Sequence, residues 1–202
     1  MSERPALLGA VLAGGRSRRY GRDKATVEVG GRAMLERATS ALLGVSEAVV
    51  VVSSRPVSLP AGTSVIPDQH QDVGPIGGLH AALLEASARG LDGVFLLACD
   101  LPLVDSDVVR SVISAGHGAR ACAPARGDGV EPLCALWRTD VLPEIESRIA
   151  TGRFALHGLF SAVGGRRVEA LAHADGTSAF LNVNTPDDRA LAETLLTGTI
   201  EP

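Results

Sequence analysis

The sequence predicts an open α/β fold in which a mostly parallel sheet carries helices on both faces. Short apolar runs ending at glycine or proline alternate with segments of helical spacing, which is the order typical of a parallel sheet. Hydrophobic residues make up 46% of the chain and 23 residues are glycine, as in compact α/β proteins with many tight turns. The 202 residues are enough for one domain, so we expect a single domain over 1–202.

Charge and cysteine content indicate which partners and which cellular compartment to expect. The net charge is −4 and only 3% of residues are aromatic, which argues against a nucleic-acid partner. The cysteines form no Cys-x-x-Cys pair and lie in apolar runs, so we interpret them as core residues in a reducing compartment: Cys99, Cys122 and Cys134. The apolar run near the N-terminus is too short to span a bilayer. We expect a cytoplasmic protein without a membrane segment.

The first predicted strand, Leu7 to Ala13, leads into a glycine pair and a basic loop. Gly14 and Gly15 have no Cβ, so their backbone N–H groups can approach anionic oxygens. The loop carries one acid, Asp23, against several cations: Arg16, Arg18, Arg19, Arg22 and Lys24. This pattern predicts a polyphosphate site, and the alternative is a solvated surface loop.

Two common phosphate motifs do not match this loop. A P-loop has four residues between its glycines and then Gly-Lys-Ser/Thr, whereas Gly21 here lies farther from Gly15 and is followed by Arg22. The dinucleotide fingerprint Gly-x-Gly-x-x-Gly is also absent after Gly14. The sequence therefore predicts a different kind of phosphate loop.

Hydrophobic spacing assigns the elements that follow. The predicted strands are Thr26–Arg32 with its glycine turn, Ala48–Val52, Val65–Ile66, Val94–Ala98, Gly118–Ala125, Glu131–Trp137 and 167–171. The predicted helices are Met34–Leu43, Leu79–Arg89, Val108–Ala115, Val141–Ile149, Arg153–Phe160 and Pro186–Leu196. A second glycine-rich loop, Pro67 to Gly78, opens the helix at Leu79 and would present N–H groups to a ligand.

Asp100 follows the most apolar strand, at a proline turn. Ligands of open α/β sheets bind beyond the carboxyl ends of the strands, which is where Asp100 would project. Near a triphosphate, one carboxylate there is a natural Mg²⁺ ligand. The alternative is a helix N-cap, but Asp105, Ser106 and Asp107 already supply caps for the next helix.

The last helix is preceded by a capping box. Thr185 is the N-cap, Pro186 occupies the first helical position and Asp188 completes the box. The capping box gives no role to Asn182 or Asn184. These two residues are therefore candidates to reach the predicted phosphate and Mg²⁺ site. The histidines lack metal-ligand spacing and are interpreted as surface or hydrogen-bonded residues: His70, His80, His117, His157 and His173.

Five motifs together resemble a known family. Leu-Ala-Gly-Gly-x-Ser-x-Arg-x-Gly-x-Asp-Lys from Leu12 to Lys24 resembles the signature of nucleotidyltransferases, and most closely that of molybdenum cofactor guanylyltransferases. The other motifs occur in the same order over nearly the whole chain: Asp68, Gly74–Gly78, Cys99-Asp100-Leu101-Pro102 and Asn182-Val183-Asn184-Thr185-Pro186.

The resemblance implies one Rossmann-like nucleotidyltransferase domain of the GT-A-like type, requiring Mg²⁺ on Asp100. The implied reaction transfers GMP from GTP to the terminal phosphate of molybdopterin or molybdenum cofactor, with molybdoenzymes or other cofactor-pathway proteins as further partners. Lys24, Asp100 and Arg18 are the implied catalytic residues. The implied substrate-binding residues are Leu12, Ala13, Gly14, Gly15, Arg19, Lys24, Asp68, Gly74, Pro75, Gly78, Asp100, Asn182 and Asn184.

Base selection and acceptor binding are the less specific parts of the resemblance. A carboxylate can accept from the adjacent N–H and NH₂ of guanine, so Asp68 or Asp72 is a candidate, with an Asx turn or cap as the alternative favoured for Asp72. Where relatives often carry His-Pro-Thr, this chain has Glu131-Pro132-Leu133.

Two other functions remain open from the sequence. One is a cytidylyltransferase or another small-acceptor nucleotidyltransferase of the same fold. The second is a non-catalytic protein that delivers the nucleotide or cofactor, although a pure binder would not need both Lys24 and Asp100.

Overall fold

The computed structural model describes residues 5–13, 26–70, 72–169 and 179–197. Its strands are β1 Leu7–Leu12, β2 Glu28–Val29, β3 Arg32–Ala33, β4 Ala48–Val52, β5 Thr63–Ile66, β6 Gly93–Ala98, β7 Ala121–Arg126, β8 Gly129–Val130, β9 Cys134–Arg138 and β10 Arg166–Val168. Its helices are α1 Met34–Leu42, α2 Pro75–Ala88, α3 Ser106–Ala115, α4 Leu142–Ala150, α5 Leu156–Ala162 and α6 Pro186–Thr197, with a short 3₁₀ helix at Thr139–Val141.

A mixed, mostly parallel sheet organises the chain. Its order is β10-β7-β9-β6-β1-β4-β5, with β8 paired to β7. Strands β5, β4, β1 and β6 are mutually parallel, β9 is antiparallel to both β6 and β7, and β10 is parallel to β7. The predicted open, mostly parallel sheet is confirmed, and β9 is the antiparallel member of the main order.

Helices cover both faces of this sheet, as predicted. Helices α1 and α3 pack on the face that carries Leu7 and Val11 of β1. Helices α2, α4 and α5 pack on the opposite face, which carries Leu8 and Ala10. Successive side chains of a strand point to opposite faces, so one apolar strand supplies both cores. A smaller cluster joins α6 to the β2–β3 hairpin through Val29, Met34 and Ala192.

Most predicted elements are confirmed, with shifted ends. The clearest difference is α2, which begins at Pro75 rather than Leu79. Gly74 is its N-cap, with φ of 74° and ψ of −157°, a conformation that favours glycine, and Pro75 fills the first turn. The segment from Pro75 to Gly78 is therefore helix and not loop. Arg126 to Val130 forms a β-hairpin, β7–β8, where only a turn was predicted.

The strand order reverses at one point of the sheet. From β1, the chain passes to β4 on one side, and β6 lies on the other side. Ligands of open α/β sheets bind where the strand order reverses, outside the carboxyl ends of the strands. In this chain, that place is the end of β1 and β6, next to Leu12 and Asp100.

Candidate active site

Backbone hydrogen bonds hold the strand ends together at this edge. The Cys99 N–H donates to the Leu12 carbonyl at 3.2 Å, so the segment after β6 runs beside the end of β1. On the other side of β1, the Ala13 N–H donates to the Val52 carbonyl at 3.1 Å. Leu12 and Ala13 therefore lie between β4 and the Asp100 turn. Their substrate-binding role stays a prediction.

Asp100 is half-buried where β6 gives way to the turn. The cap of α3 comes from Asp105, whose Oδ1 accepts from the Asp107 and Val108 N–H groups, each at 2.9 Å. The prediction that Asp100 is not this cap is confirmed. The Asp100 carbonyl instead accepts from the Val183 N–H at 2.9 Å, which ties the segment before α6 to the end of β6.

That segment carries Asn182 and Asn184 on either side of buried Val183. The capping box behind them is confirmed: the Asp188 N–H donates to Thr185 Oγ1 at 3.1 Å, and Asp188 Oδ2 accepts from the Thr185 N–H at 2.8 Å. Because Val183 is anchored to Asp100, both asparagines are brought to the edge of the sheet that carries Asp100.

An ion pair between exposed Arg126 and buried Glu131, next to Asn182, was not predicted from the sequence. Glu131 is only 5% exposed and accepts a hydrogen bond from Arg126 Nη1, at the end of β7. The Asn182 amide is assigned with its oxygen toward Arg126, where it accepts from Nη1 at 2.9 Å and Nη2 at 3.2 Å. Only the Glu131 departure from the family motif pointed to this region.

Asp68 lies against the first turn of α2. A Cβ on Gly77 would be 2.8 Å from Asp68 Oδ1, and a Cβ on Gly78 would be 2.6 Å from Leu12 Cδ2. The helix start thus approaches both Asp68 and the end of β1, and only glycine allows that approach. The structure therefore brings Leu12, Gly78 and Asp68 to the start of α2. Their substrate-binding roles stay predictions.

Asp68 also makes the Asx turn that the sequence offered as its alternative role. Its Oδ1 accepts from the His70 N–H at 2.9 Å. A carboxylate has about four acceptor sites, so this bond does not exclude a ligand contact. Asp72 has φ of 60°, the left-handed conformation that aspartate tolerates in turns, which agrees with the turn role favoured for it.

His80 and His70 form a pair beside Asp68. His70 Nε2 and His80 Nδ1 are 3.0 Å apart, and His80 Nε2 is 3.7 Å from Glu146 Oε1 on α4. The pKa of His80 is lowered, first by burial and then by His70, against the opposing effects of Glu146 and Asp68. The interpretation of these two histidines as hydrogen-bonded residues is confirmed.

Several predicted site residues lie outside the described parts of the chain: Gly14, Gly15, Arg18, Arg19 and Lys24. Their roles stay predictions. Within 5–13, 26–70, 72–169 and 179–197, no group of three or more His, Cys, Asp or Glu side chains is arranged to hold a metal ion. The helices of the same ranges include none that is long and apolar enough to cross a membrane.

The fold and the carboxylates at the sheet edge place this chain in the open α/β class, whose members bind ligands beyond the carboxyl ends of their strands. Comparisons with known proteins identify the family to which the chain belongs within this class. Residues 9–181 match the model of the MobA-like NTP transferase domain. The molybdenum cofactor guanylyltransferase of Cereibacter sphaeroides is 36% identical over 194 residues, which cover 94% of this chain and 97% of that protein.

Solved structures agree with this match. The molybdopterin-guanine dinucleotide biosynthesis protein A of Archaeoglobus fulgidus superposes with a TM-score of 0.75 at 27% identity, covering 96% of this chain and all of that one (100%). The 2-C-methyl-D-erythritol 4-phosphate cytidylyltransferase of Thermus thermophilus has a TM-score of 0.70 at 21% identity, covering 95% and 99%, and shows a shared fold alone. This chain belongs to the MobA-like NTP transferase family and is a nucleotidyltransferase.

Proposed function

We propose that this protein transfers GMP from GTP to the terminal phosphate of molybdopterin or molybdenum cofactor, releasing pyrophosphate. The observation that carries the proposal is the guanylyltransferase relative from Cereibacter sphaeroides, which aligns over 94% of this chain. The cytoplasm is the proposed location, and molybdoenzymes or other proteins of the cofactor pathway are the proposed further partners.

The reaction needs little acid–base chemistry from the protein. The acceptor phosphate is already ionised, so catalysis consists of positioning the two substrates and neutralising charge on the α-phosphoryl group and the departing pyrophosphate. Lys24 with Arg18 or Arg19 would hold the phosphates. Backbone N–H groups of Gly14 and Gly15 would bind ribose and phosphate oxygens, whereas the Ala13 N–H already donates to the Val52 carbonyl.

Asp100 would hold Mg²⁺. A single half-buried carboxylate at the strand end fits this ion, which is bound in proteins through one or two carboxylates plus phosphate and water oxygens. When bound, the ion would neutralise charge on the triphosphate oxygens. Asp100 would orient that charge, because its backbone is fixed by the bond from Val183.

Asp68 would read the base. It follows β5, and the start of α2 packs against its carboxylate through Gly77. Guanine offers an N–H and an NH₂ side by side, and these two donors match one carboxylate. Cytosine lacks this donor pair, so Asp68 favours GTP over CTP.

The direct test measures pyrophosphate release from each of the four nucleoside triphosphates, with and without molybdopterin. We expect release with GTP only, dependent on molybdopterin. Release with CTP would instead support a cytidylyltransferase. Tight binding of nucleotide without any release would support a delivery protein and contradict the proposal.

A further inference from the structure

Arg126 lies on the same edge of the sheet as Asp100. Strands β6 and β7 are both antiparallel to β9, so their carboxyl ends coincide, and Arg126 is the last residue of β7. Neighbouring strands are about 4.8 Å apart, which puts β7 about 10 Å from β6. Along this edge the order is Asp68 after β5, Leu12 in β1, Asp100 after β6 and Arg126 in β7.

The guanidinium of Arg126 is fixed in place. Glu131 is 5% exposed, and its Oε2 accepts from Nη1, while its Oε1 accepts from the Leu133 N–H at 3.2 Å. The Asn182 amide oxygen accepts from the end of the guanidinium, at 2.9 Å from Nη1 and 3.2 Å from Nη2. A buried carboxylate requires a paired cation, so Glu131 constrains Arg126 strongly.

These contacts leave one side of the guanidinium for a ligand. They use both hydrogens of Nη1 and one of Nη2, and the Nε–H and the second Nη2 hydrogen point together from the remaining side. Within the described ranges, no contact uses that side, and the side chain is 43% exposed. Two parallel N–H groups are the arrangement that binds a phosphate in a bidentate manner.

We propose that Arg126 binds the terminal phosphate of the acceptor through its Nε–H and Nη2–H groups. This inference rests on the proposed function. When the base lies at Asp68 and the α-phosphate lies at Asp100, Arg126 lies beyond the α-phosphate, on the side away from the base. The acceptor phosphate that attacks the α-phosphate must be held on that side. In this role of Arg126, Glu131 and Asn182 are positioning residues, because their hydrogen bonds hold the guanidinium in place.

The test compares steady-state kinetics of the wild type with those of Arg126→Gln and Arg126→Lys. Charge-assisted bidentate contacts justify an expected rise of about 10- to 100-fold in KM for molybdopterin in Arg126→Gln, with KM for GTP within about twofold. Arg126→Lys keeps a cation beside Glu131, so its KM for molybdopterin should rise less than that of Arg126→Gln. If Arg126→Gln does not fold, Arg126→Lys still tests the inference. Glu131→Gln should raise the same KM by a smaller factor.

Arg120→Gln is the matched control. Arg120 directly precedes β7 at its other end and is 46% exposed, and its Nε is 3.2 Å from Asp140 Oδ2. Its removal should leave both KM values unchanged. An unchanged KM for molybdopterin in both Arg126 variants would overturn the inference, as would an equal rise in KM for GTP. If the wild type itself releases no pyrophosphate with molybdopterin, the proposed function fails first and the inference falls with it.

Discussion

Asp100 and Asp105 are two nearby carboxylates with separate tasks. Asp105 caps α3 through two backbone N–H groups, whereas Asp100 stands at the end of β6 beside Leu12. We expect Asp100→Ala to lower kcat by about 10²- to 10³-fold, the loss typical of a removed charge stabiliser. The measurement is turnover at saturating Mg²⁺ and GTP.

Asp105→Ala is the control for Asp100→Ala. It should lower the free energy of unfolding by about 1 kcal/mol through loss of the cap, while kcat stays near the wild-type value. Near-normal turnover of Asp100→Ala would contradict the role of Asp100 as the Mg²⁺ ligand.

His80 makes stability depend on pH. Its pKa in the folded chain is lower than the ordinary value of 6.5, because burial and His70 disfavour the charged form more than Glu146 and Asp68 favour it. Below pH 6.5, the unfolded chain therefore binds more protons at this residue than the folded chain does. The contribution to the free energy of unfolding is complete above that pH and declines as pH falls toward the folded pKa.

Urea unfolding at several pH values checks this dependence. We expect His80→Gln, whose amide oxygen can still accept from His70, to lose the part of the acid-side decline that His80 causes. His117→Gln changes an exposed histidine and should keep the decline. Equal pH dependence in the wild type and His80→Gln would contradict the effect.

Among the elements, the first turn of α2 packs against Asp68, the carboxylate proposed to read the base. A Cβ on Gly77 would be 2.8 Å from both Asp68 Oδ1 and Val73 Cγ2, so Gly77→Ala must displace the loop that carries Asp68. We expect KM for GTP to rise about tenfold, because misplacement by ~1 Å can cost up to about 10²-fold. Stability should fall by at most about 2 kcal/mol, because the cost of the displaced loop is partly offset by the better helix propensity of alanine.

Ser87→Ala, at the exposed far end of α2, is the control and should leave KM for GTP unchanged. Unchanged GTP kinetics in Gly77→Ala would show that the position of Asp68 does not matter for nucleotide binding. A loss of stability with unchanged KM would assign Gly77 to packing alone.

Elements with one dominant signal could be predicted from the sequence. Strand β4 is a continuous β-branched run and was predicted with its observed bounds, Ala48–Val52. The start of α2 was predicted too late because Gly74 to Gly78 lack apolar periodicity, and its glycines serve close packing. Asp100 was singled out because a lone carboxylate directly after an apolar strand is a distinct signal, whereas Asp68 was singled out by the family resemblance.

The Arg126–Glu131–Asn182 cluster could not be predicted in the same way. Its members lie on a hairpin and on a segment far away in the sequence, and only the pairing of β7 with β8 and the bond from Val183 to Asp100 bring them to one edge. No local pattern encodes such contacts. The departure Glu131-Pro132-Leu133 marked the region without showing its partner.

For the whole molecule, burial on both faces of the sheet predicts inert thiols. Cys99, Cys122 and Cys134 are all buried. Burial raises the pKa of Cys122 to about 11, and the pKa of Cys134 is also raised, first by burial and then by Glu131. Because the thiolate is the reactive form, we expect slow modification by a thiol reagent at neutral pH and fast modification of all three in urea. Fast modification of the folded protein would contradict the burial of these three thiols in the core.

The proposed reaction requires a single GTP to lie across the edge formed by β1, β5 and β6. A crystal structure with GTP and Mg²⁺ tests this most directly. We expect the guanine edge against Asp68 and one triphosphate in contact with both Lys24 and, through Mg²⁺, Asp100. Lys24 and Asp100 facing separate cavities would contradict the account.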